Sequence, residues 1–272
     1  MGEKNIDTFF RLFEQELQEN EDLRSYHRII NSESLYLFRK SYVYQRLDYV
    51  IQNISGNDIK ILDIGCGYGT TDLLLAFLGF EVTGTTLEFY YDKIEKRLEY
   101  WKNYVDTSRI TIKYENLFKS DYPEESFDYV ILQDTLHHLE PIDNALQIIY
   151  HLMKKDSKLI AIEENGNNII QNLKLIKQRG FKRIIEVHDD KLNEKYLMGN
   201  ENIRSFSKWN KLFRKNGLTI LNNKTQYIRL FPSFYFKKYG IDEIVKREQK
   251  IWKKSNILKE FFYFGINFIA YK

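Results

Sequence analysis

Apolar positions along this chain recur with two different periods, and the switch between them divides it. Near the start, Phe9, Phe10, Phe13 and Leu17 fall at helical spacing and predict an amphipathic helix over residues 5–19. A second helical stretch, residues 33–54, carries Leu35, Leu37, Phe38, Tyr42, Leu47, Val50 and Ile51, and Ser55-Gly56-Asn57-Asp58 reads as its stop. From residue 60 short apolar runs take over, at 60–64, 81–85, 110–114, 127–132 and 158–162. Runs of this kind read as buried parallel strands. Helical patterns separate most of them: one closing at Gly79, a long charged one over 89–105, and one near 142–153. Five strands alternating with helices predict right-handed βαβ units and a doubly wound α/β sheet.

Beyond residue 163 the alternation changes. About 40 residues, 164–203, precede a helix that starts near Ser205, runs through Phe206, Trp209, Leu212 and Phe213, and stops at Gly217. A connection of that length is usually a functional lid or subdomain. A strand over 218–221, resuming at 225–230, a helical stretch over 241–254 and a last strand over 261–270 complete the chain. The two late strands suit an antiparallel edge. The division expected is an N-terminal helical cap (1–57), a central α/β core (58–163), a helical cap insertion (164–203) and a C-terminal part of the same sheet (204–272).

Composition adds limits. The 272 residues, 43% hydrophobic and 29% charged, fit a globular α/β protein. No apolar run approaches the roughly 20 residues of a membrane helix. The polar start Met1-Gly2-Glu3-Lys4 lacks a signal-peptide core, so a cytoplasmic location is the expectation. Cys66 is the single cysteine, which excludes an internal disulfide and a cysteine metal cluster. The net charge of +3 conceals an asymmetry: residues 1–167 hold 18 Lys+Arg against 29 Asp+Glu, and residues 168–272 hold 23 against 9. The basic part suits solvated helices, or attraction of an anionic substrate, a lipid headgroup or RNA.

The chemistry gathers at Ile61-Leu62-Asp63-Ile64-Gly65-Cys66-Gly67-Tyr68-Gly69, an apolar strand ending in an acid and three glycines at alternate positions. Glycines there let the backbone turn sharply and approach a ligand. The dinucleotide pattern G-x-G-x-x-G puts its third glycine one residue later, where this chain has Thr70. The form D-x-G-x-G-x-G resembles motif I of the class I S-adenosylmethionine (SAM) methyltransferases, and the resemblance covers residues 58–164 firmly and the terminal strands more loosely. It implies a Rossmann-like, seven-stranded sheet with an antiparallel terminal strand, N-terminal helices over the pocket, and SAM as cofactor.

The resemblance also implies roles for individual residues. Gly65, Gly67 and Gly69 carry the backbone around the cofactor, with Cys66 as a backbone contact, and Asp63 matches the acid near its amino group. After the second strand, the position where the family places a ribose-binding acid falls on Thr86, followed by Leu87; Glu88 is the alternative ribose ligand or a helix cap. Thr86-Leu87 resembles the "TLS"-like segment of a subset that includes cyclopropane-fatty-acid synthases. Asn116 offers a donor and an acceptor to the adenine edge, with Leu117 against the ring. After the fourth strand, Gln133 faces the cofactor, and the run ending His137-His138-Leu139-Glu140-Pro141 resembles the "lhHl" segment of the small-molecule branch. A neutral imidazole there takes a proton from an attacking hydroxyl or amine. Metal is not expected, since adjacent loop residues point apart. Glu163 or Glu164 binds a cationic amine or acts as base, and the predicted catalytic set is His137, His138 and Glu164. Tyr26, His27 and Tyr42 are pocket candidates; His188-Asp189-Asp190, Arg204 and the aromatic run from Phe231 to Tyr239 are weaker ones.

The reading is therefore a SAM-dependent methyltransferase acting on O or N of a small-molecule acceptor of anionic or lipid-like character. Lipid or cyclopropane-type and RNA acceptors, and a non-catalytic SAM-binding relative, are the alternatives. An NAD-dependent dehydrogenase is disfavoured by Thr70 and by the missing acid.

Overall fold

The computed structural model describes residues 4–29, 32–88 and 91–272. Asn5, whose side chain accepts from the Thr8 amide, starts α1 (Ile6–Glu19), and burial of Phe9, Phe10, Phe13 and Leu17 follows the predicted stripe. A short α2 (Glu21–Tyr26), capped by Asn20, was not separated in the sequence; α3 (Glu33–Ile51) follows. The alternating part comprises β1 (Lys60–Ile64), α4 (Thr70–Phe77), β2 (Glu81–Thr86), α5 (Tyr91–Trp101), β3 (Ile110–Tyr114), β4 (Phe127–Gln133), α6 (Ile142–Leu152) and β5 (Met153–Glu164). The first two residues of the predicted 89–105 helix lie outside the described residues.

The segment 164–203 differs from its expected all-helical form. It holds α7 (Ile169–Arg179) and then an antiparallel hairpin, β6 (Ile184–Asp189) and β7 (Glu194–Gly199). Its strands alternate between half-buried and exposed positions, so they form a ribbon lying on the domain and not part of the main sheet. After α8 (Phe206–Lys215), capped by Ser205, come β8 (Thr219–Ile220), β9 (Gln226–Ile228), α9 (Phe234–Tyr239), α10 (Ile241–Lys254), α11 (Asn256–Phe262) and β10 (Gly265–Tyr271). The last strand thus begins later than the aromatic run predicts. Ser255 accepts from the Leu258 amide and starts a helix that takes in Phe261 and Phe262.

The sheet order is β3-β2-β1-β4-β5-β10-β8, with β9 also on β10. β1 to β5 are parallel, and β10 runs antiparallel to β5, β8 and β9. β8 and β9 share the seventh position, separated by a 3-10 turn at Asn222–Lys224 that Tyr49 of α3 holds by donating to the Lys224 carbonyl at 2.7 Å. Chain order reverses between β1 and β4, and ligands of such sheets bind beyond the strand carboxyl ends at that point. Alternate residues of each strand feed two cores: Ile61 and Ile131 pack towards α1, α3 and α4, while Leu62, Val130 and Leu132 pack towards α6 and α8.

One buried ion pair joins the N-terminal helices to the β1 loop. Arg97 of α5 forks onto Glu16 of α1 at 2.7 and 2.8 Å, and Trp101 donates to the same carboxylate at 2.9 Å. The remaining Arg97 nitrogen reaches the Tyr68 carbonyl at 2.6 Å and Thr70 Oγ1 at 2.9 Å.

Candidate active site

The loop after β1 needs its glycines. Gly65, Gly67 and Gly69 have φ of 76°, 58° and 74°, a left-handed region that residues with a Cβ seldom enter. A Cβ on Gly65 would stand 2.3 Å from Thr135 Oγ1, so the loops after β1 and β4 pack without space for a side chain. The Gly65 and Cys66 amides donate to the Thr85 carbonyl at 2.8 and 3.0 Å and draw the turn over β2.

Beneath this turn lie two acids, Asp63 at the end of β1 and Asp72 in the first turn of α4. Both are buried, and all four of their carboxylate oxygens lack a hydrogen-bond partner among the described residues. Burial pushes the Asp72 carboxyl up to about 7, and burial together with the Asp72 charge holds Asp63 well above the usual carboxylate range. The same burial and acids push the Cys66 thiol up, which leaves no thiolate for nucleophilic chemistry. Unpartnered buried acids are the environment that a cationic ligand group relieves. The amino end of a SAM molecule fits it, with Asp63 opening onto the adjoining cavity.

That cavity, of about 300 Å³, brings together the β1 loop, α2, α3, the β4 loop, Glu164 and Glu201, with Arg229 beyond β9. Gln133 faces it and donates to Thr71 Oγ1. Asp134, held at a left-handed φ of 52°, pairs with Arg46 of α3 at 2.7 Å and accepts from Tyr42 at 3.3 Å. Burial works against the Asp134 charge, but Arg46 and its neighbours hold the carboxyl below its ordinary range.

The two histidines part company. Glu163 is buried at the end of β5, where one oxygen accepts from the Thr135 and Leu136 amides at 3.0 and 2.7 Å. Its other oxygen lies 2.6 Å from His137 Nδ1. Burial alone would lower the His137 pKa, but the carboxylates of Glu163, Asp134 and Glu201 raise it to about 9. His137 is therefore an imidazolium at neutral pH, and its place is that of a fixed cation, not a base. His138 Nδ1 lies 2.8 Å from the Gly199 carbonyl. A carbonyl only accepts, so Nδ1 carries a proton, and in the uncharged form of the ring Nε2 is the acceptor. The rings do not point apart as expected; their centroids are 4.2 Å from each other. With Glu201 their ligand atoms fall within 4.8 Å, the spacing of a metal site, although His137 is already the cation that Glu163 binds. Glu164 lines the cavity and accepts from Gln171, and burial followed by the Asp134 charge raises its pKa.

A second cavity, about 380 Å³, lies past β2 and β3 beneath the hairpin. Leu87 and Glu88 line it, while Thr86 is buried and its hydroxyl accepts from the Glu88 amide at 3.2 Å. Thr86 thus shapes the loop that presents Glu88. Asn116 caps the next turn through its oxygen and donates to Glu194 of the hairpin at 2.8 Å; Leu117 is packed in the core. Tyr114 likewise donates to Asp189 at 2.8 Å. The hairpin therefore covers the end of β2 and β3 and, through Gly199, also fixes His138. Arg204 lies outside the main cavity, bound to Glu140. Sequence reasoning missed Arg39, Arg46, Glu201 and Arg229; the seven-residue spacing of Arg39 and Arg46 on one helix face was the available signal.

Comparison with known proteins fits this geometry. Residues 62–161 match the family model described as a methyltransferase domain. The ubiquinone biosynthesis O-methyltransferase of Rickettsia akari is 27% identical over 140 residues, 49% of this chain and 50% of that one. The chain spans about half the length of the curated relatives it matches. Among solved structures, the YcgJ protein of Bacillus subtilis aligns with a TM-score of 0.57 at 15% identity, covering 84% of this chain and 98% of that one. A SAM-dependent methyltransferase of Methanosarcina mazei aligns at 0.55 and 19%, covering 82% and 96%. Likeness at that identity establishes the fold.

Proposed function

We propose that this chain, of which residues 62–161 match a methyltransferase domain, transfers a methyl group from SAM to an oxygen or nitrogen of a small-molecule acceptor. The observation that carries this is the pair of buried, unpartnered acids under a three-glycine turn, beside a cavity that holds the His138 ring. Among the described residues no helix is long and apolar enough to cross a membrane. The name of the curated relatives favours oxygen as the atom methylated.

SAM, when bound, supplies a sulfonium-activated methyl group, and the protein's tasks are alignment, exclusion of water and removal of a proton. Asp63 and the β1 turn would hold its amino end, Arg46 its carboxylate, and Glu88 its ribose hydroxyls. His138 Nε2 takes the acceptor's proton. Glu163 fixes the β4 loop on which His138 stands, and the imidazolium of His137 closes that network.

Calorimetry with S-adenosylhomocysteine (SAH) and NADH tests the donor, and transfer of labelled methyl from SAM to a panel of phenols and amines tests the reaction. His138→Gln is expected to lower kcat by roughly 100-fold with SAH affinity unchanged. Preferential binding of NADH would sink the reading; unchanged turnover in H138Q would remove the base.

A further inference from the structure

The cavity gathers arginines that no acid pairs with. Of the acids lining it, Asp134 is taken up by Arg46 and Tyr42, Glu164 accepts from the uncharged Gln171, Glu201 faces the His137 ring at 3.7 Å, and Asp63 lies under the β1 turn. Arg28, Arg39 and Arg229 also line it, and none of their guanidiniums has an ion-pair partner among the described residues. The Nε atoms of Arg39 and Arg229 are buried with no acceptor. Burial and the charges of Arg229 and Arg28 lower the Arg39 pKa, the direction expected of cations gathered with no anion between them.

These arginines are held in place. The Arg229 guanidinium lies 4.3 Å from the ring centre of Tyr42, itself a buried residue, and its backbone takes a left-handed φ of 66°. A non-glycine residue keeps that conformation only where its surroundings enforce it, and such residues collect at ligand sites. The acids Asp134 and Glu164 are near enough to feel the Arg229 charge, yet neither approaches within ion-pair distance.

The cofactor carboxylate does not account for them. Arg46 is the arginine whose charge reaches Asp63. Arg39 precedes it on α3 by two turns, roughly 10 Å along the same face. We infer that Arg39 and Arg229, with Arg28 at the rim, form an oxyanion subsite that holds a carboxylate or phosphate group of the methyl acceptor. Planar guanidinium forks match such groups with paired hydrogen bonds. The word acceptor rests on the methyl-transfer reading; the anion subsite itself does not.

The test is calorimetry on the SAH-saturated protein with benzoate, phenyl phosphate and benzamide as probes. An anion is expected to bind at least about tenfold more tightly than benzamide, since only the anion completes charge-assisted bonds. Preference for benzoate assigns a carboxylate, and preference for phenyl phosphate a phosphate monoester. Arg39→Gln and Arg229→Gln should each weaken the anion by roughly tenfold and leave SAH affinity within about twofold, while Arg46→Gln weakens SAH instead. Arg229→Lys, which keeps the charge and loses the fork, should fall between. If R229Q unfolds, R39Q on the helix surface reads the same subsite. Equal binding of benzamide, anion binding untouched by R39Q and R229Q, anions that compete with SAH, or no anion binding at all would each overturn the proposal. A protein that binds benzoate through Arg39 but never binds SAH keeps the subsite and loses the methyl-transfer reading.

Discussion

Asp63→Asn is expected to stabilise the cofactor-free protein and to weaken SAH by roughly 10- to 100-fold. Asp63 and Asp72 are buried together with no hydrogen-bond partner for their carboxylates among the described residues, and burial holds both carboxyls above their ordinary range. For a group whose folded pKa is raised, the stabilising contribution is complete below the unfolded value, about 4 for Asp. It is lost as the pH rises through the folded value, about 7 for Asp72. Thermal unfolding of the free protein should therefore show a contribution that declines between those two pH values and shrinks in D63N. Binding of a cationic amino group has the opposite dependence, because it draws on the ionised acids. SAH affinity should rise with pH over the same window, with proton release detectable by calorimetry in buffers of different ionisation enthalpy. A pH-independent affinity, or a D63N protein that binds SAH normally, would show that the acids do not meet the ligand.

Glu163→Ala should be the most damaging single substitution in the β4 loop, costing about 3–5 kcal/mol in urea unfolding and abolishing turnover. It removes the acceptor of two backbone amides and the counter-ion of His137 at once. Its signature is also visible in pH. The His137 pKa, raised to about 9, gives stability that is complete below the ordinary histidine value of about 6.5 and disappears as the pH climbs through 9. In E163A that alkaline loss should shrink and move to lower pH, because burial then opposes the charge with only Asp134 and Glu201 to favour it. An alkaline slope unchanged in size and position in E163A would mean that Glu163 is not the main group charging His137.

Local pattern made the parallel core legible. The first four predicted strands begin where the structure begins them: β1 and β4 are apolar runs buried on both faces, β2 is largely buried, and β3, at the sheet edge, alternates buried or half-buried with exposed positions. The hairpin at 184–199 was not legible as strands. Its Glu186, His188 and Lys195 are spaced among apolar residues in a segment that packs one face only, and its place is set by Asn116, Tyr114 and the Leu139 bridge, far away in sequence. The glycine turn and the two histidines stood out as motifs, but which histidine remains basic depends on Glu163 and Gly199, contacts that span 26 and 61 positions. Thr86 occupied the position where the family keeps an acid, and the local bend it makes with Glu88 appears only in three dimensions. Arg229 carried no motif at all; a strained backbone and a tyrosine face give it meaning.

The Arg97 link changes where this protein can be cut. A family model matches residues 62–161, and a chain shortened to that span would still contain the turn, most of the five parallel strands and Arg97. It would lack α1, and with it both Glu16, onto which Arg97 forks, and the Phe9 and Phe13 rings that cover Trp101 and Arg97. The cut would therefore lose that ion pair and open an apolar face of α4 and α5 to water. The first helix is thus part of the support of the β1 turn, supplied from outside the span that matches the family model.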